Sequence, residues 1–372
     1  MFPVLDHPFT RSLGLFIGLI FAFPWPLHGL FTQGFVLALA ACLIAYGLMP
    51  YIIVLAHKVG ALDIPDARRV HAIVTPRIGG LAVILAVNIT LLLNFNYSLE
   101  LKGVCISAFI VGCLSLWDDV HELSASIKLL GQLLALGVLM ALGVHVDFAP
   151  DTWWGNSLEY AITALWVIGI TNAFNFLDGI NGLASSLAAT TCLLMGFLAW
   201  HTGQTYMLFL CLALAGAAIG FLPDNARYKT PARSFLGDVG STYLGWMMAA
   251  IAVMGDWSSD GAIKAYAAPL LIFSVMIFDM IHTTAARIQR GDVRSFREWI
   301  EYVGRDHLHH RLMDLGCSQI QAVTLIVGFS CMVGLAALAL IKSPLFSVWL
   351  LLGQTMVFYI ILTILMGRAA SK

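Results

Sequence analysis

The stretch LKGVCISAFIVGCLSLWDDVHELSASIKLLGQLLALGVLMALGV (101–144) decides the architecture. Two apolar runs, 101–117 and 128–144, flank a short polar segment that opens with Asp118 and Asp119. Each run approaches the ~20 residues that an α-helix needs to cross a bilayer. The same alternation recurs at 31–57, 79–97, 158–175, 183–200, 204–222, 240–255, 262–283, 320–340 and 345–366, which makes eleven candidate spans. Composition agrees: of 372 residues, 60% are apolar and only 11% charged, against about 25% charged in soluble domains. Too few polar groups exist to cover a water-facing surface. That excludes an ordinary soluble enzyme, a disordered chain and a nucleic-acid binder with a basic face. The expectation is an all-α polytopic membrane protein: an extension over 1–30, one transmembrane domain over 31–366 and a tail over 367–372. A further apolar run at 12–28 is broken by Pro24 and Pro26; it either spans or lies at the interface. Prolines also stand where a signal peptide would carry small residues. The seven cysteines form no C-x-x-C pair and mostly lie in apolar runs, as small buried hydrophobes do.

Charge orients the bundle. Alternate loops carry Lys58, Arg68, Arg69, Arg77, Lys128, Arg227, Lys229, Arg233, six arginines between 284 and 319, Arg368 and Lys372, sixteen of the twenty basic residues. The opposite side carries Lys102, Lys264 and Lys342, with Arg11 left over. The positive-inside rule places the richly basic side, with the C-terminus, in the cytoplasm. Eleven spans then put the N-terminus outside, and a twelfth would bring it in. A formal net charge of −1 leaves only local charge to recruit a partner.

The polar clusters fall on that same side. Asp118 and Asp119 repel as neighbours and gain most when they share a cation or a proton; a helix-end acid pair is the plainer alternative. Lys128, at the start of the next run, reads alone as a snorkelling lysine. In NAFNFLDGINGLASS (172–186), Asn172, Asn175, Asp178 and Asn181 recur every third residue. At roughly 100° per residue each step drifts by about 60°, so the four cannot share one helix face. Gly179 and Gly182 let the chain turn there. Amides and one carboxylate aimed into a common pocket suit a hard cation such as Mg2+, and an amide also reads a base edge. In FLGDVGS (235–241), Asp238 sits between glycines at a helix start, as an N-cap or as a metal ligand beside a bound phosphate. GRDHLHHRL (304–312) gathers Arg305, His307, His309, His310 and Arg311. Guanidinium matches phosphate geometry, and neutral imidazole ligates a metal or hydrogen-bonds a phosphate. A zinc site competes, but no cysteine or acid joins the set at structural spacing.

DDVHELSASIKL, NAFNFLDGINGLA, FLGDVGS and DHLHHRL, with LDIPDARRVHAIVTPRIGG (62–80) before them, together resemble the polyprenyl-phosphate N-acetylhexosamine-1-phosphate transferase family. The five motifs span 62–312 in the family's order; the first thirty residues lie outside the resemblance. It implies transfer of a sugar 1-phosphate from a UDP-N-acetylhexosamine to undecaprenyl phosphate in a bacterial inner membrane, with release of UMP and with Mg2+ or Mn2+. That is the committed step of O-antigen, lipopolysaccharide or wall-polymer assembly. It implies Asp118 and Asp119 at the lipid phosphate, Lys128 as a phosphate contact and Asn175 with Asp238 holding the metal. Asn181, near the uracil, and Asn172 would contact substrate, and Asp178 would be a catalytic acid. Arg305, His307, His309, His310 and Arg311 would form the loop that closes on the donor. Many bacterial members carry Asp where this chain has Asn181, but the eukaryotic dolichyl-phosphate branch has GING-like sequence as here, so the resemblance requires no base at 181. HLHHRL is similar to the branch that uses UDP-GlcNAc, with GalNAc, QuiNAc and FucNAc as alternatives. A homodimer stays open. A transporter of a cytosolic anion would need ionisable groups at mid-bilayer, which the spans lack; a scaffold would release no UMP.

Overall fold

The computed structural model describes residues 7–24, 29–65, 73–94, 98–258, 261–302 and 304–370. Arg68, Arg69 and Lys372 lie outside the described residues. The chain forms α1 (Pro8–Ala22), α2 (Leu30–Val59), β1 (Leu62–Asp63), β2 (Thr75–Pro76), α3 (Gly80–Asn94), α4 (Leu99–His121), α5 (Ala125–Ala141) and α6 (Trp153–Phe176). Then follow α7 (Leu183–His201), α8 (Thr205–Asn225), α9 (Gly237–Met254), α10 (Ala262–Ile272), α11 (Ser274–Arg290), α12 (Phe296–Glu301), α13 (Leu308–Asp314), α14 (Gln319–Ala339) and α15 (Leu345–Ala370). Over the described residues, each apolar run named above overlaps one helix, except 262–283, which becomes α10 and α11 bent by 71°. Pro269, whose missing N–H weakens the helical ladder, sits one turn before that bend.

This is an all-α, multi-pass membrane protein. Among the described residues seven helices (α2, α4, α6, α7, α8, α14 and α15) are long and apolar enough to cross a bilayer, and the bent pair makes an eighth. The eleven spans expected are thus not all met by length and composition. α3 and α5 have 15 and 17 residues, and α9 opens with the polar GDVGST. α9 is shielded by neighbours rather than by lipid: it packs among α3, α4, α6 and α7, and most of it is buried. Close approach needs glycine. An added Cβ at Gly80 would lie 2.2 Å from Gly240 Cα, and at Gly216 and Gly220 it would lie 2.1 Å from the Ala38 and Cys42 carbonyl oxygens. The Gly216–Gly220 spacing is the small-xxx-small pattern that brings membrane helices into backbone contact.

Two features add to the expected bundle, the second of them settling where the apolar run at 12–28 packs. β1 and β2 form a two-residue antiparallel ladder, with Leu62 opposite Pro76. Backbone bonds from Phe235 N to Pro76 O (2.8 Å) and from Gly80 N to Leu236 O (2.8 Å) tie that ladder to the start of α9. The second feature is α1, which runs antiparallel to α2. Its first turn lies beside Pro50, Ile53 and His57, and Gly18 abuts Ile44. Arg11, the basic residue left over by the charge pattern, is 1% exposed. It donates to Asp224 of α8 at 2.6 and 3.0 Å and to Tyr46 O at 2.9 Å.

Candidate active site

α4 carries its two carboxylates to the first turn of α9. Asp119 Oδ2 accepts from Val239 N at 2.9 Å, and its Oδ1 from Asp238 N at 3.3 Å and Arg77 Nε at 3.1 Å. Asp119 therefore caps α9 and satisfies N–H groups that no helix can satisfy for itself. Asp118 accepts from Leu123 N at 2.6 Å and pairs with Lys128. Lys128 Nζ also reaches Asp238 Oδ2 at 2.8 Å. Asn175 Nδ2 donates to Asp238 Oδ1 at 3.1 Å and Ser241 Oγ at 2.8 Å. The four side chains Asp118, Lys128, Asp238 and Asn175, far apart in sequence, are thus one connected network. A leucine or valine at any of them would strand a polar group in a half-buried setting.

Beside this network opens a cavity of about 630 Å3, within the size range of small-molecule sites. Asp119, Asp178, Asn181 and Asp238 line one part; Arg77, Arg227, Lys229 and Arg305 supply cations, and His310 an imidazole. The Asp178–Gly182 turn follows α6 directly. Gly182 has φ +81°, a left-handed conformation suited to glycine. Its N–H donates to Asn225 Oδ1 at 2.6 Å, while Asn225 Nδ2 donates to Ser234 O at 3.1 Å. The Asp178 side chain makes no hydrogen bond or ion pair among the described residues. Burial raises its pKa well above the usual carboxylate range, and the charges of Asp238 and Asp119 add to the shift.

Four sequence candidates, Asn172, His307, His309 and Arg311, stand off the cavity lining. Asn172 exchanges hydrogen bonds with Gln132 across α5 and α6 (2.8 and 3.3 Å) and donates to Ile168 O; it does not line the cavity. His307 is held by Asp279 of α11 at 2.7 Å. His309 is 1% exposed, with neither ring nitrogen hydrogen-bonded among the described residues, and it abuts Gly179 so closely that a Cβ there would lie 2.1 Å from His309 Nε2. Burial, then the neighbouring His310, His307 and Arg305, pushes the His309 pKa well down, and burial with Arg305 and His307 lowers that of His310. Arg311 donates Nε to Asp306 O at 2.6 Å, behind the wall that Arg305 and His310 present. Burial works to raise Asp306, but hydrogen bonds from Arg287 and Arg290 override it and hold its pKa at about 2. That anchors the loop to α11.

Arg77, Asn225, Tyr228 and Lys229 also line the cavity, beyond the site residues expected from the sequence. The basic positions 227–233 mark Lys229 in the sequence and the 62–80 motif carries Arg77, while no local pattern marks Asn225 or Tyr228.

A family model described as glycosyl transferase family 4 matches residues 101–256. The chain is 32% identical to a probable undecaprenyl-phosphate N-acetylglucosaminyl 1-phosphate transferase of Bacillus subtilis (strain 168), over 79% of this chain and 81% of that one. The chain belongs to the polyprenyl-phosphate N-acetylhexosamine-1-phosphate transferase family. It is a phosphotransferase. A decaprenyl-phosphate N-acetylglucosaminephosphotransferase of Mycolicibacterium smegmatis is 33% identical over 77% of each chain. An undecaprenyl-phosphate alpha-N-acetylglucosaminyl 1-phosphate transferase of Salmonella typhimurium is 28% identical over 73% of this chain and 74% of its own.

The oxygen donors of this transferase fit a hard divalent cation. Asp178 is unpartnered and pressed by two other acids. Asn175 has spent only its amide hydrogens, which leaves Oδ1 aimed at no protein group among the described residues. Among those residues no three His, Cys, Asp or Glu side chains gather closely enough to hold a metal alone. A small cation held by one or two carboxylates, with substrate phosphates and water completing its shell, is the usual Mg2+ arrangement.

Proposed function

We propose that the protein transfers N-acetylglucosamine 1-phosphate from UDP-N-acetylglucosamine to undecaprenyl phosphate, with release of UMP, at the cytoplasmic face of a bacterial inner membrane. This would start a lipid-linked polysaccharide such as O-antigen or a wall polymer. The observation that carries the reading is the Asp118–Lys128–Asp238–Asn175 network at the wall of a cavity edged with arginine, lysine and histidine. The relatives' names supply the sugar and the carrier.

A lipid phosphate oxygen attacks the donor's β-phosphorus. That P–O bond forms as the bond to the bridging oxygen breaks, and UMP leaves with that oxygen. The second pKa of a phosphoester is near 6, so the nucleophile is largely ionised without a strong base. Such chemistry depends mainly on positioning and on spreading of charge. Lys128 would hold the lipid phosphate beside Asp118. Arg305 and His310 would face the leaving diphosphate from the opposite wall. Asp119, with both oxygens occupied, would hold the α9 terminus and Asp238 in place. Asp178, Asp238 and Asn175 Oδ1 would hold Mg2+ or Mn2+, which neutralises phosphate charge when bound.

The positive-inside pattern supports a cytoplasmic site and a cytoplasmic residue 370. All eleven apolar segments would cross, α10 and α11 as one broken span. Because α1 lies antiparallel to α2, we place its first turn on the cytoplasmic side too, which makes α1 a twelfth, short crossing.

The test is purified protein with undecaprenyl phosphate, Mg2+ and, in turn, UDP-GlcNAc, UDP-GalNAc, UDP-QuiNAc and UDP-FucNAc, read as UMP formed. UDP-GlcNAc should be turned over fastest, and Asp238→Ala and Asn175→Ala should abolish the signal. A phosphorylated or sugar-linked enzyme trapped during turnover would refute the one-step route.

A further inference from the structure

His307 belongs to the His-rich segment, yet it does not line the cavity. Its Nδ1 lies 2.7 Å from Asp279 Oδ2, and its Nε2 lies 3.3 Å from Arg287 Nη2. Phe176, at the end of α6, stacks on the ring with centroids 5.0 Å apart. A guanidinium can only donate. Nε2 therefore accepts from Arg287, and Nδ1 carries the hydrogen that goes to Asp279. Both imidazole nitrogens are then occupied by protein. The second Asp279 oxygen accepts from Leu308 N at 2.6 Å, and Leu308 is the first residue of α13. Asp279 is 1% exposed, so both bonds are sheltered from competing water.

One buried carboxylate on α11 thus grips two consecutive residues at the start of the helix that presents His310 to the cavity. Arg305 lies two residues before the grip. The lever arm is short: a residue rises only about 1.5 Å along a helix, so a shift at 307–308 passes directly to 310.

We propose that Asp279 is a positioning residue: it fixes the His307 tautomer and pins the first turn of α13, so that Arg305 and His310 meet the donor. His307 is then a docking group rather than a substrate contact. The inference deepens the transferase reading and rests on it for its kinetic arm.

The experiment compares purified Asp279→Asn, His307→Ala and His307→Asn proteins with the wild type. An asparagine at 279 offers one acceptor and one N–H₂ where two acceptors are needed. It should raise the KM for the UDP-sugar by about 10–100-fold, the usual cost of losing an orienting partner, while kcat falls less and the pH–rate profile keeps its shape. His307→Ala should behave alike. His307→Asn keeps a donor near the Nδ1 position and lacks Nε2, so it should recover most of the His307→Ala loss. Hydrogen–deuterium exchange over 304–314 should quicken in Asp279→Asn and return toward wild type in His307→Asn. If His307→Asn is as inactive as His307→Ala, or displaces the pH profile, His307 acts through Nε2 and the proposal is overturned. Unchanged exchange over 304–314 in Asp279→Asn overturns it too. Should Asp279→Asn not fold, the two His307 variants decide alone. A wild type that releases no UMP would sink the transferase reading while the exchange arm still judged the grip.

Discussion

Asp178 sits at the cavity wall without a hydrogen-bond partner among the described residues, its pKa raised by burial and then by Asp238 and Asp119. A carboxyl whose pKa is higher folded than unfolded stabilises the fold while protonated, and that contribution is lost as pH rises through the raised value. In the absence of divalent cations, the melting temperature should therefore fall as pH climbs from the ordinary carboxylate range, about 4, toward and beyond neutrality. Asp178→Asn should flatten the slope, and Mg2+ should restore wild-type stability at high pH but not that of the variant. Parallel melting curves for the two proteins would show that Asp178 is not the strained group. The residue scale is also where sequence reading reached least far. Asn172, Asn175, Asp178 and Asn181 look equivalent in a string; yet one binds Gln132, one binds Asp238 and two line the cavity. Side-chain type tells what a group can bond, whereas the turn at Gly179–Gly182 sets what each one meets.

Among elements, the helices were legible because membrane helices need long apolar runs. The contacts between them were not. Gly179 shows the difference. It reads as a flexible hinge, but its structural role is to leave room for the buried His309 ring. Gly179→Ala should cost roughly 1–3 kcal/mol, as overpacking of a filled interior does, and should weaken uridine-nucleotide binding measured by calorimetry with UMP. Gly169 on α6 has nothing within 4 Å of an added Cβ. Gly169→Ala should be neutral or slightly stabilising, since alanine favours helix by up to ~1 kcal/mol. Equal losses in both variants would indicate general fragility instead of a tight Gly179–His309 contact. The bend between α10 and α11 belongs to this scale as well: it sets Asp279 and Arg287 under the His-rich segment, which one straight span over 262–283 would not do.

At the scale of the molecule, the polar network, the cavity and the basic loops share one end of the bundle. In a background without its seven cysteines, single cysteines at 229 and 305 should react with an impermeant maleimide only from the cytosolic side. Those at 203 and 343 should react only from the outside. Labelling of 229 and 305 from opposite sides would break the site apart. Sequence alone determined the apolar runs, the side on which positive charge accumulates and the motif set that marks the family, because hydropathy and charge add up locally along a chain. Only the tertiary structure decided which members of each motif face the cavity and which hold the fold. Those roles arise from contacts between distant residues: Asp279 with His307 across 28 positions, Arg77 with Asp119 across 42 and Arg11 with Asp224 across 213. Each depends on how helices are rotated and bent against one another, and no local pattern records that.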